Sequence, residues 1–186
     1  MNPSLPPVNA KKPAASLPAW VILFCVALVL GFLVFLALGL KKSNLQSLRV
    51  GDEVPNFTLT KFNGGQVSLS DLRGKAVLIN FWASWCLTCG DEAAALETVW
   101  QEVEPAGDVV FLGVDYVDTE PEAKAYLKRF SITYLNGPDL RTEISQFFHV
   151  TGVPETYLID ADGRLAAVKI GPFTSTDEIR SMLAQK

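Results

Sequence analysis

The pattern of apolar and polar positions divides the chain into one long apolar segment and a region of shorter apolar runs. Residues 19–40 contain no charged side chain. A helix over these 22 residues would rise about 33 Å, which is enough to cross the hydrocarbon core of a bilayer. After residue 50, short apolar runs alternate with stretches of helical periodicity, which predicts an α/β domain.

Within residues 51–186, the spacing predicts individual elements. Residues 51–71 are typical of a β-hairpin, because alternating apolar positions flank the turn signal Asn63-Gly64-Gly65. Ser175 and Glu178 match the capping box that opens a helix. The predicted strands cover 76–81, 109–114, 156–160 and 165–170, and the predicted helices cover 87–104, 120–130, 142–148 and the segment after Ser175.

Composition and charge restrict the class of protein. Among the 186 residues, 49% are hydrophobic and 19% are charged, which excludes a disordered or low-complexity chain. Residues 1–42 carry four lysines and no acidic side chain, whereas residues 43–186 carry 12 basic and 20 acidic groups, a net charge of −8. Such an acidic domain disfavours nucleic acid as a partner, because phosphate binding needs basic patches. Three cysteines are too few for a scaffold stapled by disulfides.

The apolar segment predicts one N-terminal transmembrane helix over residues 19–40. Trp20 and the Lys41-Lys42 pair lie at its two ends, where interfacial residues are common. The predicted organisation is a disordered tail over residues 1–18, the anchor over 19–40, a tether over 41–50 and a folded domain over 51–186. A cleaved signal peptide is the alternative, since Ala37-Leu38-Gly39 fits a small-x-small cleavage site. Lysines on both sides of the segment leave its orientation undecided.

Cys86-Leu87-Thr88-Cys89 is the motif that carries chemistry. It follows the predicted buried strand 76–81 and opens the predicted helix 87–104. The first sulfur would therefore lie at the positive end of a helix, where a thiolate is stabilised and the thiol pKa falls. Cys89 lies one turn deeper and can resolve a mixed disulfide. A structural disulfide or half of a zinc site is the alternative, but zinc needs four ligands and the chain has a single histidine, His149.

Two motifs together resemble a known family. FWASWCLTC at residues 81–89 and GVPETYLID at residues 152–160 are similar to the thioredoxin-like proteins of the TlpA/ResA/CcmG (DsbE) group. The resemblance covers residues 50–186. It implies a thioredoxin-like fold, with a central mixed sheet flanked by helices and an N-terminal β-hairpin extension, and a redox-active disulfide between Cys86 and Cys89. It also implies a thiol-disulfide oxidoreductase without a cofactor.

The resemblance further implies a location and partners. Members of the group are mostly anchored in the cell membrane and face outside the cytoplasm, on the periplasmic side where one exists. They reduce disulfides of client proteins, often apocytochrome c during cytochrome c maturation. Such a protein needs an electron donor, for which a membrane thiol transporter of the DsbD/CcdA kind is expected.

Residues around the motif also match the family. Pro154 matches its cis-proline, and Val153 before it would offer its backbone to an extended substrate. Glu92 matches a glutamate one turn after the second cysteine, which implies a catalytic role in moving protons; a solvated surface glutamate is the alternative. Glu155 resembles the CcmG pattern, which implies either tuning of the site or contact with a partner. Trp85 flanks the motif, and both residues are assigned to the substrate-binding set.

Three positions depart from the family and its relatives. Asn80 stands where cytosolic thioredoxins carry a buried aspartate, so the proton must be handled elsewhere. Leu87 replaces the usual proline of the dipeptide between the cysteines, and Gly90 replaces a basic residue. These differences leave the reduction potential open, and with it the direction of electron flow.

Two other functions remain as alternatives. A peroxidase of the peroxiredoxin type shares the fold, but its cysteine follows a Thr-x-x pattern, and Ala83 stands at that threonine position. A metal chaperone would use Cys86, Cys89 and His149, but further ligands are lacking and His149 follows Phe147-Phe148 as a surface or capping residue. The sequence therefore predicts no metal site.

Overall fold

The structure, a computed structural model, describes residues 18–40 and 48–186, without the side chains of residues 22 and 36–40. Residues 1–17 of the predicted tail and residues 41–47 of the predicted tether lie outside the described residues. The chain divides into two compact units, Met1–Leu45 and Gln46–Lys186.

The first unit contributes helix α1, which extends over Ala19–Leu40 as the apolar pattern predicts. Among the residues that the structure describes, no helix is both long enough and apolar enough to cross a membrane. The membrane-spanning role of residues 19–40 is thus a prediction from the sequence alone.

The second unit is built on a five-stranded mixed sheet, with a two-stranded hairpin formed by β1 and β2. Its elements in chain order are β1 (Thr58–Thr60), β2 (Gln66–Ser68), β3 (Ala76–Trp82), α2 (Leu87–Val103), β4 (Val109–Tyr116), α3 (Glu120–Arg129), β5 (Leu135–Asp139), α4 (Glu143–Phe148), β6 (Glu155–Ile159), β7 (Leu165–Ile170) and α5 (Thr176–Leu183). The strand order is β5-β4-β3-β6-β7, in which β3, β4 and β5 are parallel and β6 and β7 are antiparallel to their neighbours. This arrangement confirms the predicted mixed sheet flanked by helices.

Strand β3 lies at the centre of the sheet, and both of its faces are covered. Val77, Ile79 and Phe81 pack on one face with the hairpin and α4. Leu78 packs on the other face with α2 and α5. Burial on both faces explains why β3 reads as a nearly continuous apolar run rather than as an alternating one. Asn80 is the polar exception, and it lies on the face that α2 covers.

Strand β5 is the element that the sequence did not predict. Its sequence Leu-Asn-Gly-Pro-Asp contains a glycine and a proline, which weaken a strand signal. The proline is tolerated because β5 is the last strand on its side of the sheet. Gly137 is needed there, since a Cβ atom would collide with the carbonyl oxygen of Thr60.

Helix α5 confirms half of the predicted capping box. The Ser175 hydroxyl accepts a hydrogen bond from the Glu178 N–H at 3.3 Å. The Glu178 carboxylate accepts instead from the N–H and hydroxyl of Thr174, at 3.1 and 2.8 Å. The reciprocal bond of a capping box is thus shifted by one residue.

Candidate active site

The two cysteines lie at the junction of β3 and α2. Cys86 is the N-cap of α2 and forms a disulfide with Cys89. Its sulfur accepts a hydrogen bond from the Cys89 N–H at 3.1 Å. This contact uses one of the unpaired N–H groups at the helix N-terminus, and the helix dipole favours negative charge at the same place. In the reduced protein these features stabilise a thiolate on Cys86.

A loop that ends at Pro154 lies against the disulfide. The Val153-Pro154 peptide bond is cis, as the resemblance implied. The carbonyl oxygen of Val153 lies 3.5 Å from the Cys86 sulfur. Val153 itself is half-buried, and it packs on the cluster that contains both cysteines. The structure therefore brings together Cys86, Cys89, Val153 and Pro154, which are far apart in sequence.

Glu155 holds the loop that ends at Pro154 through hydrogen bonds. Its side chain is only 2% exposed, so it does not lie on a surface that a partner contacts. One carboxylate oxygen accepts from the N–H and hydroxyl of Thr151, both at 3.0 Å, and from the Gly152 N–H at 3.2 Å. The other accepts from the Tyr157 hydroxyl at 2.7 Å. Glu155 thus positions the proline loop, which differs from the direct substrate contact that the resemblance suggested.

Glu92 is fully buried at 0% exposure, so the alternative of a solvated surface glutamate is wrong. Its carboxylate accepts from the side-chain amide of Asn80 and from the Phe173 N–H, each at 2.8 Å. Burial raises the pKa of Glu92 from 4.5 to about 7, while the two hydrogen bonds and the charge of Lys169 act in the opposite direction. Glu92 can therefore gain or lose a proton near neutral pH, and it shares a helix face with Cys89.

Asn80 links this carboxylate to the sheet. Its amide nitrogen also donates to the Thr156 hydroxyl at 3.0 Å. Asn80 is nearly fully buried, so this position has a buried polar side chain, as it would with an aspartate. Unlike an aspartate, the Asn80 amide cannot take up or release a proton. The proton function that a buried aspartate would supply is available from Glu92 instead.

The tryptophans on either side of the motif differ in environment. Trp82 is buried and stacks on Tyr126 with ring centroids 4.5 Å apart, as expected for a core residue. Trp85 is 58% exposed, and its indole N–H donates to the Val117 carbonyl at 3.2 Å. Leu87 is 89% exposed. Two large apolar side chains therefore border Cys86 on the outer surface.

Tyr126 is a site residue that sequence reasoning missed. Its hydroxyl donates to the Cys89 carbonyl at 2.8 Å and so anchors the first turn of α2 to α3. Tyr126 also lines a groove of about 330 Å³ beside Cys86, together with Gly90 and Phe130. A Cβ atom on Gly90 would lie 3.1 Å from the Phe130 ring, which gives a steric reason for glycine there. The helical spacing of α3 could have placed Tyr126 on the buried face, but not beside Cys89.

Two further acidic residues, Asp115 and Asp118, were also missed. They lie at and just beyond the carboxyl end of β4, which pairs in parallel with β3. The carboxyl ends of parallel neighbours meet at one edge of a sheet, so the Asp-x-x-Asp spacing after the run 109–114 was the available signal. Asp115 is 0% exposed.

His149 lies outside this cluster, at the C-terminal end of α4, where it is the C-cap residue. Among the described residues, no group of three or more His, Cys, Asp or Glu side chains is arranged to hold a metal ion. Nothing in the described part of the chain therefore favours the metal-chaperone alternative.

Comparison with known proteins agrees with this geometry. Residues 50–168 match the model of the AhpC/TSA family. The thiol-disulfide oxidoreductase ResA of Bacillus cereus (strain ZK / E33L) is 30% identical over 154 residues, which cover 83% of this chain and 87% of the relative. ResA of Bacillus subtilis (strain 168) is 27% identical and covers 83% of this chain and 84% of its own.

A solved structure shows the same fold. The thiol:disulfide interchange protein of the thioredoxin family from Chlorobium tepidum TLS superposes with a TM-score of 0.66 at 26% identity, covering 73% of this chain and 96% of that one. The disulfide at the start of α2, the adjacent cis-proline loop and these relatives all point to the same chemistry. The chain belongs to the AhpC/TSA family of thioredoxin-like proteins, and within it to the thiol-disulfide oxidoreductases of ResA type.

Proposed function

We propose that the protein is a membrane-anchored reductase of client protein disulfides outside the cytoplasm, with apocytochrome c as a candidate client in cytochrome c maturation. The observation that supports thiol-disulfide exchange is the Cys86–Cys89 disulfide at the N-terminus of α2, beside Val153 and Pro154. The reducing direction rests on the family resemblance. The cellular role rests on the family resemblance and on the apolar segment 19–40.

The exchange begins from the reduced dithiol. The Cys86 thiolate attacks one sulfur of the client disulfide, forms a mixed disulfide and releases the other client sulfur as a thiolate that takes up a proton. The Cys89 thiol then loses its proton and attacks Cys86. This step frees the second client thiol and leaves the Cys86–Cys89 disulfide, so two electrons pass to the client.

The surface around Cys86 suits an extended client. Trp85 and Leu87 expose apolar area next to the attacking sulfur, where a client chain would lose contact with water. On the other side, the Val153 backbone can pair with the client strand, as in other cases of strand addition. Since the Val153 carbonyl already lies near Cys86, such pairing would bring a client sulfur toward the nucleophile.

Glu92 would exchange a proton with Cys89 during the second step. It follows Cys89 by one helical turn and is shielded from bulk water. With a pKa of about 7, it is close to half-protonated at neutral pH, which favours both acceptance and return of a proton.

The anchor and the electron supply complete the proposal. Residues 19–40 would hold the domain at the membrane, with residues 1–18 inside and residues 43–186 outside the cytoplasm. A dithiol couple is needed where disulfides form, which is outside the cytoplasm. Re-reduction of Cys86–Cys89 would come from a membrane thiol transporter of the DsbD/CcdA kind.

Trapping experiments test the order of the two cysteines. We expect thiol alkylation of the reduced full-length protein to label Cys86 at lower pH than Cys89, because only Cys86 lies at the helix N-terminus. Cys89→Ser should accumulate a mixed disulfide with a client, and Cys86→Ser should accumulate none. Equal labelling, or trapping by Cys86→Ser, would overturn the assignment.

Topology and direction need separate measurements. Protease added to spheroplasts should digest residues 43–186, and protection until lysis would refute the orientation. Titration of the full-length protein against glutathione should place the couple on the reducing side, and a strongly oxidising potential would make the protein an oxidase. Consumption of peroxide at a rate comparable to disulfide exchange would instead favour the peroxidase alternative.

A further inference from the structure

Two carboxyl groups lie together beneath the loop that carries Cys86. Asp115 ends the buried part of β4, and its side chain is 0% exposed. Neither of its oxygens has a hydrogen-bond donor among the described residues. Asp118 follows three residues later in the loop after β4, and its carboxylate acts on Asp115 by raising the pKa of that carboxyl group. A buried carboxyl with no donor is costly as an anion, whereas a protonated one can donate to a neighbouring carboxylate.

Asp118 connects this pair to the cysteine loop. One of its oxygens accepts from the Ser84 N–H at 2.6 Å, and the other accepts from the Thr119 N–H at 2.7 Å. Ser84 is two residues before Cys86. A second bond, from the Trp85 indole to the Val117 carbonyl, joins the same two loops. The loop after β3 is therefore held by the loop after β4.

The backbone of the β4–α3 loop is itself held in an uncommon conformation. Val117 has a φ of 48°, in the left-handed region that a β-branched residue rarely adopts. Such a conformation persists where surrounding contacts impose it. The contacts of this loop with Ser84 and Trp85 impose the conformation of Val117. The loop after β3 and the loop after β4 therefore stabilise each other.

The charges around the pair favour one shared proton. On the neighbouring strands, Trp82 and Pro138 lie in register with Asp115, and neither titrates. From α3, Glu122 accepts from the Thr119 hydroxyl and Tyr126 donates to the Cys89 carbonyl. The α3 cation beside this loop is Arg129, which lines a groove with Ser84 and lies over the Phe130 ring at 5.1 Å. From α2, the ionisable groups in the adjacent cluster are the two cysteines. Among the described residues, no cation forms an ion pair with Asp115 or Asp118.

We propose that Asp115 and Asp118 form a carboxyl pair that shares one proton and positions the Ser84–Cys86 loop for thiol-disulfide exchange. Asp118 is the positioning residue, since it holds the Ser84 N–H. Asp115 carries the proton and donates it to the Asp118 carboxylate. Loss of that proton places two like charges in one buried site, which drives Asp118 away from Ser84 and loosens the N-terminus of α2.

The direction of the pH effect follows from the burial of Asp115. Burial, with the charge of Asp118 added, raises the pKa of Asp115 to about 8. Below that pH, the pair therefore keeps its shared proton, and Asp118 holds the Ser84–Cys86 loop. Above it, the Cys86 thiolate loses part of the support that the helix N-terminus provides.

The test follows the alkylation of Cys86 in the reduced full-length protein as pH rises, with peptide mapping to separate Cys86 from Cys89. In the wild type, the rate should rise as the Cys86 thiolate forms and then fall by roughly two- to tenfold as Asp115 ionises, the equivalent of one hydrogen bond. Asp115→Asn keeps a donor to Asp118 at every pH, so its rate should stay on the plateau. An alkaline fall that persists in Asp115→Asn would overturn the proposal.

Variants of Asp118 separate positioning from general packing. Asp118→Ala removes the acceptor of the Ser84 N–H and should lower the Cys86 rate at neutral pH by roughly two- to tenfold. Asp118→Asn keeps an acceptor oxygen and should recover part of that loss. Asp91→Asn is the matched control, because it removes an exposed negative charge from the groove beside Cys86 and leaves the bond from the Ser84 N–H to Asp118 in place. If Asp91→Asn lowered the rate of Cys86 alkylation equally, loss of a negative charge alone would explain the result, and the positioning role of Asp118 would be refuted.

A direct titration keeps the proposal falsifiable if a variant fails to fold. Carbon-13 NMR of the Asp115 carboxyl in the wild-type protein should show ionisation well above the ordinary range of an aspartate. Ionisation in that ordinary range would refute the shared proton. This inference rests on the proposed function, in which Cys86 is the attacking thiol. The carboxyl pair and the role of Cys86 are tested by different measurements, so either can be refuted alone. Preferential labelling of Cys89 would overturn the proposed nucleophile, while the NMR titration would still decide the state of Asp115.

Discussion

Two buried glutamates, one on the helix that begins at the disulfide and one directly after the proline loop, are held in different ways. Glu155 accepts four hydrogen bonds, all from residues within four positions in the chain. Glu92 accepts two, from Asn80 and Phe173, which lie 12 and 81 positions away. The first carboxylate closes a local loop, whereas the second joins a helix, a strand and a turn.

The contrast shows that burial alone does not decide the role of a carboxylate. Glu155 is surrounded by donors from its own segment, and these bonds define the geometry of the proline loop. Glu92 has fewer donors for equal burial, and desolvation raises its pKa to about 7. A group of the first kind positions its neighbours, and one of the second kind exchanges protons near neutral pH.

The largest effect that separates the two residues is expected in the resolving step. Glu92→Gln should slow the attack of Cys89 on the mixed disulfide by up to about 100-fold and shift its pH dependence, because the proton acceptor is lost. Stopped-flow release of client from Cys86 between about pH 6 and pH 9 measures this. Glu155→Gln is the control and should keep the wild-type midpoint. A shift in Glu155→Gln alone would move proton exchange to the proline loop.

The second effect concerns stability. The pKa of Glu92 is higher in the folded than in the unfolded state. Protonated Glu92 therefore stabilises the folded protein fully below about pH 4.5, and this stabilisation is lost as pH rises through about 7. For this group alone, the free energy of unfolding should fall by about 2.5 kcal/mol between about pH 5 and pH 8. Asp115, with its pKa raised to about 8, acts with the same sign.

Urea denaturation of the oxidised protein at the two pH values checks this expectation. Glu92→Gln should show a smaller fall than the wild type, because it carries no titrating group at that position. An identical fall in both proteins would mean that Glu92 stays charged throughout the range. Asp115→Asn provides an independent comparison at a second buried carboxyl group.

The smallest effect comes from removing one donor from each glutamate. Asn80→Ala deletes a bond that lowers the pKa of Glu92, so the midpoint of the resolving step should move up by about 0.4 to 1 pH unit. Tyr157→Phe deletes a bond to Glu155 and should destabilise the fold by about 1 kcal/mol without moving that midpoint. A midpoint shift in Tyr157→Phe would erase the distinction between the two carboxylates.

Much of the domain could be predicted because its signals are local. β3 was visible as an apolar run, since a central strand with both faces covered favours apolar residues at nearly every position. The Cys-x-x-Cys motif between that strand and the next helix predicted the helix N-terminus and its effect on Cys86. β5 was missed because its glycine and proline weaken a strand signal, and only pairing with β4 makes it a strand.

By itself, the sequence determined most of the elements and the reacting cysteines, because each of these depends on neighbouring residues. The link between the proline loop and the distant cysteines came from the resemblance to a known family. Only the tertiary structure decided which carboxyl groups are buried and what they contact. Glu92 meets the Phe173 N–H from the turn before α5, and Asp118 meets the Ser84 N–H from the next strand over. These contacts arise where distant segments pack together, and desolvation and hydrogen bonding at such contacts set the proton affinity of a carboxyl group.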